Sequence, residues 1–219
     1  MAAIASSSTA MAAIAASQTA MAAIAASQTA MAAVAASYVA VAAVYGSAVA
    51  VDAVKANETA WATLTGATSA VMGKAVAVLS GLNPDSYADM TAVASSSTAM
   101  AAIASSSTAM AAVASSNTAR TAITNSATAK NALASSPLKT TVTKGNGNGW
   151  ENRTIRNGMG YLISCYNANS GGEAGSTWYK LDGAQTSQPA GTTNVGKFFT
   201  SSLAIYWWSS TSSVTYIPC

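Results

Sequence analysis

A ten-residue pattern of apolar and polar positions runs from Met1 to about Pro137. The phrases MAAIASSSTA, MAAIAASQTA and MAAVAASYVA open the chain, and MTAVASSSTA and MAAIASSSTA resume the pattern at residue 90. Repeats with a fixed short period bury their apolar positions only against neighbouring repeats or neighbouring chains. The pattern therefore predicts a structural element and not a catalytic domain.

Two positions of the repeat carry its large apolar side chains. Position one is Met in most copies and also accepts Val, Trp, Arg and Lys, so we expect it to be a flexible, partly exposed contact. Position four is aliphatic in every copy except the one with Lys74, so we predict that it forms the repeat core. The predicted core residues are Ile4, Ile14, Ile24, Val34, Val44, Val54, Leu64, Val93, Ile103, Val113, Ile123 and Leu133.

The abundance of Ala favours helix over strand. A straight helix turns about 100° per residue, so a ten-residue repeat does not keep one apolar stripe. Either the helix is strongly overwound, or it breaks in every repeat and the serine-rich corner caps the next short TAMAAIA segment. A β-solenoid or interwound β-fibre is the alternative, because an even period presents the same face in every repeat.

The pattern divides the chain into five parts. Two repeat blocks, 1–80 and 90–136, flank a break at 81–89, where Gly81 and Pro84 predict a turn or kink. A Gly/Asn-rich hinge is predicted at 137–149. From 150 to 219 the runs GYLISCYN, STWYKL, GKFFTSS, LAIYWW and SVTYIP predict short strands. The predicted fold class is α+β, with an elongated helical stalk and a small all-β tip that we expect to be trimeric.

Composition excludes several functional classes. A net charge of +3 is too weak for a nucleic-acid footprint, so we expect no nucleic-acid partner. The chain has no histidine, the commonest general base and metal ligand. Glu151, Glu173 and Asp182 are the acids of the predicted tip, and Asp182 has the position expected in an Asp-Gly turn. We therefore expect no enzyme, cofactor or metal. We expect Cys165 and Cys219 to remain free thiols, and the alternative is a disulfide that ties the C-terminus to the preceding sheet.

The aromatic residues of the predicted tip are the candidates for binding. Strand alternation sends Trp207 to one face and its two neighbours to the other, so one set must face solvent, a ligand or another subunit. Aromatic rings of this kind bind sugars or fill subunit interfaces. The alternative is that they fill the core of a small domain. The candidate glycan or interface residues are Trp178, Tyr179, Tyr206, Trp207 and Trp208.

The repeated phrase SSSTAMAAIA or ASQTAMAAIA, the Gly/Asn segment and the closing pieces GWENRTIRNGMGYLISCYN, WYKLDG, KFFTSSLAIY and YIPC resemble fibre and tail-fibre-like virion proteins of tailed bacteriophages. The resemblance implies a homotrimeric fibre, whisker or decoration on the virion surface, assembled in the bacterial cytoplasm. It also implies contacts with other virion proteins and with host surface glycans. The resemblance contains no catalytic motif.

The energetics of one repeat lead to a hypothesis about assembly. One buried aliphatic side chain contributes about 1.5–3 kcal/mol, whereas ordering one residue's backbone costs about 1–2 kcal/mol. We therefore predict that position four is buried across chains and that the protein is an obligate oligomer. The alternatives are a carbohydrate-recognition tip and, from the regularly spaced Thr residues, an ice-binding repeat protein.

Overall fold

The computed structural model describes residues 1–145, 147–169 and 177–219. Helices occupy the first part of the chain, and two antiparallel sheets occupy the last part. The chain forms two compact units, Met1–Ala132 and Leu133–Cys219. The predicted α+β class is confirmed.

Short capped helices make up the first unit, so of the two helical alternatives the structure has the one that breaks in every repeat. Each corner serine has extended backbone angles. Its hydroxyl accepts a hydrogen bond from the backbone N–H three residues later, as Ser17 does from Ala20 N at 3.3 Å. The described helices are α1 Ala2–Ala5, α2 Ser8–Ala15, α3 Gln18–Ala25, α4 Gln28–Ala35, α5 Tyr38–Tyr45, α6 Ala48–Lys55, α7 Glu58–Thr65, α8 Ser69–Leu79, α9 Met90–Ser95, α10 Ser97–Ala104, α11 Ser107–Ser115, α12 Asn117–Thr124 and α13 Ala127–Ala134.

The helices of the first unit wind into a solenoid with three helices per turn, and we call each such turn of three helices a coil. Consecutive helices meet at bends of about 100°, such as 103° between α2 and α3 and 101° between α4 and α5. A helix then packs on the third helix after it: α2 on α5, α3 on α6, α4 on α7 and α5 on α8 before the break, and α8 on α11 and α9 on α12 after it. One coil therefore takes three repeats, and the chain stacks coil upon coil.

The corner serines also join neighbouring coils. The hydroxyl of Ser37 donates to Ala5 O, and that of Ser47 donates to Ala15 O, both at 2.6 Å. Ser126 makes the same bond to Ala94 O after the break. One hydroxyl thus caps its own helix and satisfies a carbonyl at the corner of the preceding coil.

The burial of the Met side chains at position one corrects part of the prediction, whereas Val51, Trp61 and Arg120 are half-buried and Lys130 is exposed. Met11, Met21 and Met31 are at most 1% exposed, although we expected this position to be partly exposed. Met11 and Met21 are buried within the first coil, which consists of α1, α2 and α3. Position one therefore faces the interior that the three helices of a turn enclose, where the flexible Met side chain fills an irregular space.

Position four depends on the neighbouring coil. Val34, Val44, Val54 and the later members of the predicted core are buried, so the same chain supplies contacts that we expected from other chains. In the first coil, Ile4 is 41% exposed, and Ile14 and Ile24 are half-buried. These three residues depart from the predicted core because nothing in the structure covers that face.

The break at 81–89 does not divide the first unit. A short 3-10 helix, Pro84–Ser86, follows α8, and the Asp89 carboxylate caps α9 by accepting from Ala92 N at 2.9 Å. Helix α8 packs on both α5 and α9, so the coil continues across the break. A Cβ on Gly73 would lie 2.4 Å from the backbone of Asp89, and this close approach requires glycine.

The second unit is a β-sandwich. The described strands are β1 Thr140–Thr143, β2 Glu151–Asn157, β3 Gly160–Asn167, β4 Trp178–Leu181, β5 Ala184–Ser187, β6 Gly191–Phe199, β7 Ser202–Trp207 and β8 Ser213–Pro218. One sheet has the order β1-β8-β3-β6 and the other β2-β7-β4-β5, all antiparallel. The chain alternates between the sheets as two Greek keys do, which is the jelly-roll arrangement.

The segment predicted as a hinge, 137–149, contributes to this sandwich. Strand β1 pairs with β8, with Thr140 opposite Tyr216, so the β-unit begins before residue 150. Asn146 lies outside the described residues. The core between the sheets contains Leu162, Cys165, Tyr179, Phe199, Leu203, Ile205, Trp207, Val214 and Tyr216.

No described helix is long and apolar enough to cross a membrane by itself, and four sharply bent helix pairs reach that length and composition only when two helices are taken together.

The double role of the corner serine leads to the first prediction. Replacing Ser47 by Ala removes the cap of α6 and the bond to Ala15 O, so we expect the free energy of unfolding to fall by about 1–3 kcal/mol. Ser47→Asn should recover part of the loss, because Asn57 caps α7 in the same position. Urea unfolding followed by far-UV circular dichroism measures both changes.

The control for this prediction is Ser107→Ala, because Ser107 is exposed and begins α11 beside the capping residue. We expect it to change the free energy of unfolding by less than about 0.5 kcal/mol. Equal effects of Ser47→Ala and Ser107→Ala would contradict the proposed role of the corner hydroxyl.

Candidate functional site

Three of the five predicted aromatic residues lie together on one surface. Strand β7 turns Tyr206 outward, and Trp208 follows directly after the end of this strand. The neighbouring strand β4 places Trp178 directly opposite Tyr206. All three side chains are half-buried and lie on the outer face of the β2-β7-β4-β5 sheet. Alternation along the two strands explains why they share this face.

The other two predicted residues belong to the core. Tyr179 is 4% exposed and Trp207 is fully buried, so neither can contact a ligand on the outer face. The indole N–H of Trp207 donates to Gln188 Oε1 at 3.1 Å, which satisfies its polar atom inside the protein. The prediction that Tyr179 and Trp207 are binding residues is therefore wrong. Each is next in sequence to an aromatic residue that faces outward, so strand alternation turns Tyr179 and Trp207 inward.

The sequence analysis missed Trp150 as a member of this surface. Gly149 N donates to Trp208 O, and Glu151 pairs with Trp207, so Trp150 lies opposite Trp208 on the outer face. Trp150 is 39% exposed. The pairing of β2 with β7 is the signal that would have found it, but the charged run ENRTIRN was not among the predicted strands. We call Trp150, Trp178, Tyr206 and Trp208 the aromatic strip.

The rings of the aromatic strip stack on one another. Tyr206 lies between Trp150, at a centroid distance of 4.7 Å and an interplanar angle of 7°, and Trp178, at 5.3 Å and 18°. Trp208 meets Trp150 edge-on at 5.5 Å. Such pairs stabilise each other by about 0.5–1.5 kcal/mol beyond burial. The strip is therefore preorganised, so its side chains would lose little conformational freedom when a ligand binds.

Buried hydrogen bonds hold the strand ends beneath the strip. The side-chain amide of Asn167 donates to Gln188 O at 3.0 Å, and the Thr177 hydroxyl donates to the same carbonyl at 2.7 Å. Asn169 Oδ1 accepts from Ser209 N at 3.0 Å. Thr177 directly precedes Trp178, and Ser209 directly follows Trp208, so these bonds position two rings of the strip.

Polar groups surround the strip. Lys180 lies on the same face of β4, with its Nζ 4.5 Å from the centroid of the Trp178 ring. Asn152 and Ser187 are exposed on the neighbouring strands and pair with Tyr206 and Trp178 respectively. Ring edges, amides, hydroxyls and one ammonium group are the usual components of a surface that binds polar, ring-shaped ligands.

Two of the three acidic residues that we considered for catalysis, Glu151 and Asp182, are engaged in structural contacts. Glu151 lies 3.7 Å from Arg153 and 4.0 Å from the buried Lys144. Asp182 caps the turn between β6 and β7. Glu173 lies outside the described residues. In the part of the chain that the structure describes, no group of three His, Cys, Asp or Glu side chains could hold a metal ion.

The two cysteines are free thiols in the structure. Cys165 is buried in the core of the sandwich, and burial raises its pKa to about 12. Burial also raises the pKa of Cys219 to about 12, although Arg156 acts in the opposite direction. Both thiols are therefore protonated, and thus poor nucleophiles, at neutral pH.

No protein-family model and no curated protein matches this chain.

The carboxylate of Asp182 links two turns of the sandwich. Asp182 has a positive φ of 52°, and its oxygens accept from Thr200 N at 2.9 Å and Ser201 N at 2.6 Å. Partial burial acts to raise its pKa, but hydrogen bonds from the backbone of Ser201, Thr200 and Ser202 and from the Ser201 hydroxyl outweigh it and lower the pKa to about 2.

The second prediction follows from this pKa. Because the pKa is lower in the folded state than its usual 3.8, the carboxylate stabilises the fold above about pH 4, and this contribution disappears as the pH falls to about 2. We expect Asp182→Asn to destabilise the sandwich at pH 7, and we expect the difference from the unmodified protein to shrink between about pH 4 and 2. Urea midpoints from tryptophan fluorescence measure it. A difference that does not change with pH would contradict this role, and Asp85→Asn, an exposed residue of the first unit, is the control.

Proposed function

We propose that this chain is a non-enzymatic structural protein of a tailed-bacteriophage virion, a fibre, whisker or decoration on the virion surface. The repeats form its stalk, and the β-sandwich forms its tip. It assembles in the host cytoplasm as a homo-oligomer, which we propose to be a trimer, and it contacts other virion proteins. The repeat phrases and the order of helical coil and β-unit support this proposal.

One observation carries the proposal of assembly. Ile4 is 41% exposed and Met1 is 46% exposed on the first coil, where Ile14 and Ile24 are also partly uncovered. Residues 1–51 contain no charged side chain. Apolar patches that carry no charge are typical of surfaces that bind another protein. The equivalent residues Val34, Val44 and Val54 are buried by a preceding coil, so a surface of similar shape from another copy would cover the first coil.

The third prediction tests this assembly. The full chain should have the mass of an oligomer, three chains in our proposal, in light scattering at micromolar concentration. Combining Ile14→Lys with Ile24→Lys should shift the mass towards the monomer, because burying two unpaired charges is unfavourable. Val49→Lys is the matched control, since Val49 is 43% exposed on α6, outside the first coil. A wild-type protein that is entirely monomeric would refute the proposal.

The aromatic strip favours a second function, recognition of host surface glycans by the tip. Three of its rings are partly buried and one is 39% exposed, yet none belongs to the core of the sandwich. Rings fixed in one arrangement beside exposed amides and hydroxyls suit a sugar, which offers both C–H groups and hydroxyls. In this proposal the aromatic strip binds the host glycan, and the helical repeats form the stalk that bears the sandwich.

The fourth prediction concerns this recognition. Trp178→Ala removes the ring that stacks on Tyr206 and lies beneath Lys180, so we expect binding to host cells or their purified glycans to fall at least about tenfold. Tyr166→Ala is the control, because Tyr166 is 42% exposed on the other sheet. The oligomer should be unchanged in both variants. Normal binding by Trp178→Ala would assign the strip to a subunit interface instead.

A further inference from the structure

Lys180 occupies a special place beside the aromatic strip. It follows Trp178 by two residues on β4, and it pairs with Ala204 of β7 and Gln185 of β5. Its ammonium group lies over the Trp178 ring at 4.5 Å from the centroid, within the distance at which a cation is attracted to the face of an indole. The strip and a positive charge therefore form one continuous surface.

Two described carboxylates of the sandwich, those of Glu151 and Asp182, are engaged elsewhere. Glu151 pairs with the core residue Trp207 across the strands, and its oxygens lie close to Lys144 and Arg153. The Asp182 carboxylate accepts from the turn at Thr200–Ser202. Among the described residues, no acidic side chain forms an ion pair with Lys180. Within the described part of the chain, the ammonium group thus contacts an aromatic ring and has no anionic partner.

The ring surface of Trp178 is already shared by two neighbours. Tyr206 stacks on it, and Lys180 lies over it. A sugar ring that packs on Trp178 must displace the ammonium group and lose the attraction between cation and ring. A neutral sugar offers the ammonium group no charged partner in return. A sugar with an acidic group offers it a charge-assisted hydrogen bond, which is stronger than a neutral one.

We propose that the aromatic strip binds acidic saccharides in preference to neutral ones, and that Lys180 determines this specificity. The inference rests on the glycan-binding function proposed above and adds the chemical class of the ligand. The ammonium group leaves the Trp178 ring, pairs with the carboxylate or phosphate of the ligand, and uncovers ring surface for the neighbouring sugar. Recognition of the charge and stacking of the sugar then occur together.

A printed array of oligosaccharides tests this, with each uronic-acid or sialic-acid member placed beside its own methyl ester. The two ligands differ only in the charge of one group. We expect the full-length protein to bind the acids roughly tenfold more tightly than the esters, and we expect this preference to weaken as salt is raised. Equal binding of acids and esters would overturn the inference but leave the glycan-binding function standing. If no saccharide binds, both proposals fail.

The matched variant is Lys180→Met, which keeps most of the aliphatic stem and removes the charge. We expect it to lose the preference for acids over their esters while still binding the esters. Lys197→Met is the control, because Lys197 is exposed on β6 of the other sheet and should leave the preference unchanged. Far-UV circular dichroism and the melting temperature show whether each variant is folded. A folded Lys180→Met protein that retains the full preference would overturn the role of Lys180.

Discussion

The first unit depends on the hydrogen bonds made by the side chains at the corners of the coil, most of them serine hydroxyls. A helix of eight residues has four unsatisfied N–H groups at its start and four unsatisfied carbonyls at its end. Short helices are therefore unstable unless these groups find hydrogen-bond partners. Ser37 and Ser47 supply both kinds of partner at once, accepting from the helix that they begin and donating to a carbonyl of the preceding coil. This double use explains why short helices persist with so little apolar surface.

Stacking of coils also explains the composition of the repeat. Ala40 and Ala50 are fully buried, and small side chains there allow neighbouring helices to approach closely. Met and Val at position one fill the interior, so position four is left to cover the junction between coils. The Gly73 backbone, which touches Asp89, shows the same requirement at the break. In the first coil no described helix covers this junction, and Ile4, Ile14 and Ile24 stay partly exposed there.

Local features of the fold could be predicted from the sequence, and features that depend on distant contacts could not. Capped helices follow from serine and alanine spacing, and five strand runs follow from their aromatic and β-branched residues. The bend of about 100° that brings α2 onto α5 has no local signal, so burial within one chain was missed. Strands β2 and β5 were missed because ENRTIRN is charged and AQTS is small and fully exposed. Strand alternation predicted that Trp207 and its two neighbours lie on opposite faces of the strand. Which of these faces packs in the core depends on how the two sheets lie against each other, and this has no local signal.

The position of the aromatic strip follows from this alternation, and its chemistry follows from its register. Trp150, Tyr206 and Trp178 are neighbours across three strands, so the sheet itself sets the spacing of their rings and no loop has to order them. Rings that faced the core would have contributed more hydrophobic free energy than half-buried ones. The core is already filled by Trp207 and Phe199, both fully buried. Because the core is already filled, the other rings stay on the outer face, where we propose that a ligand contacts them.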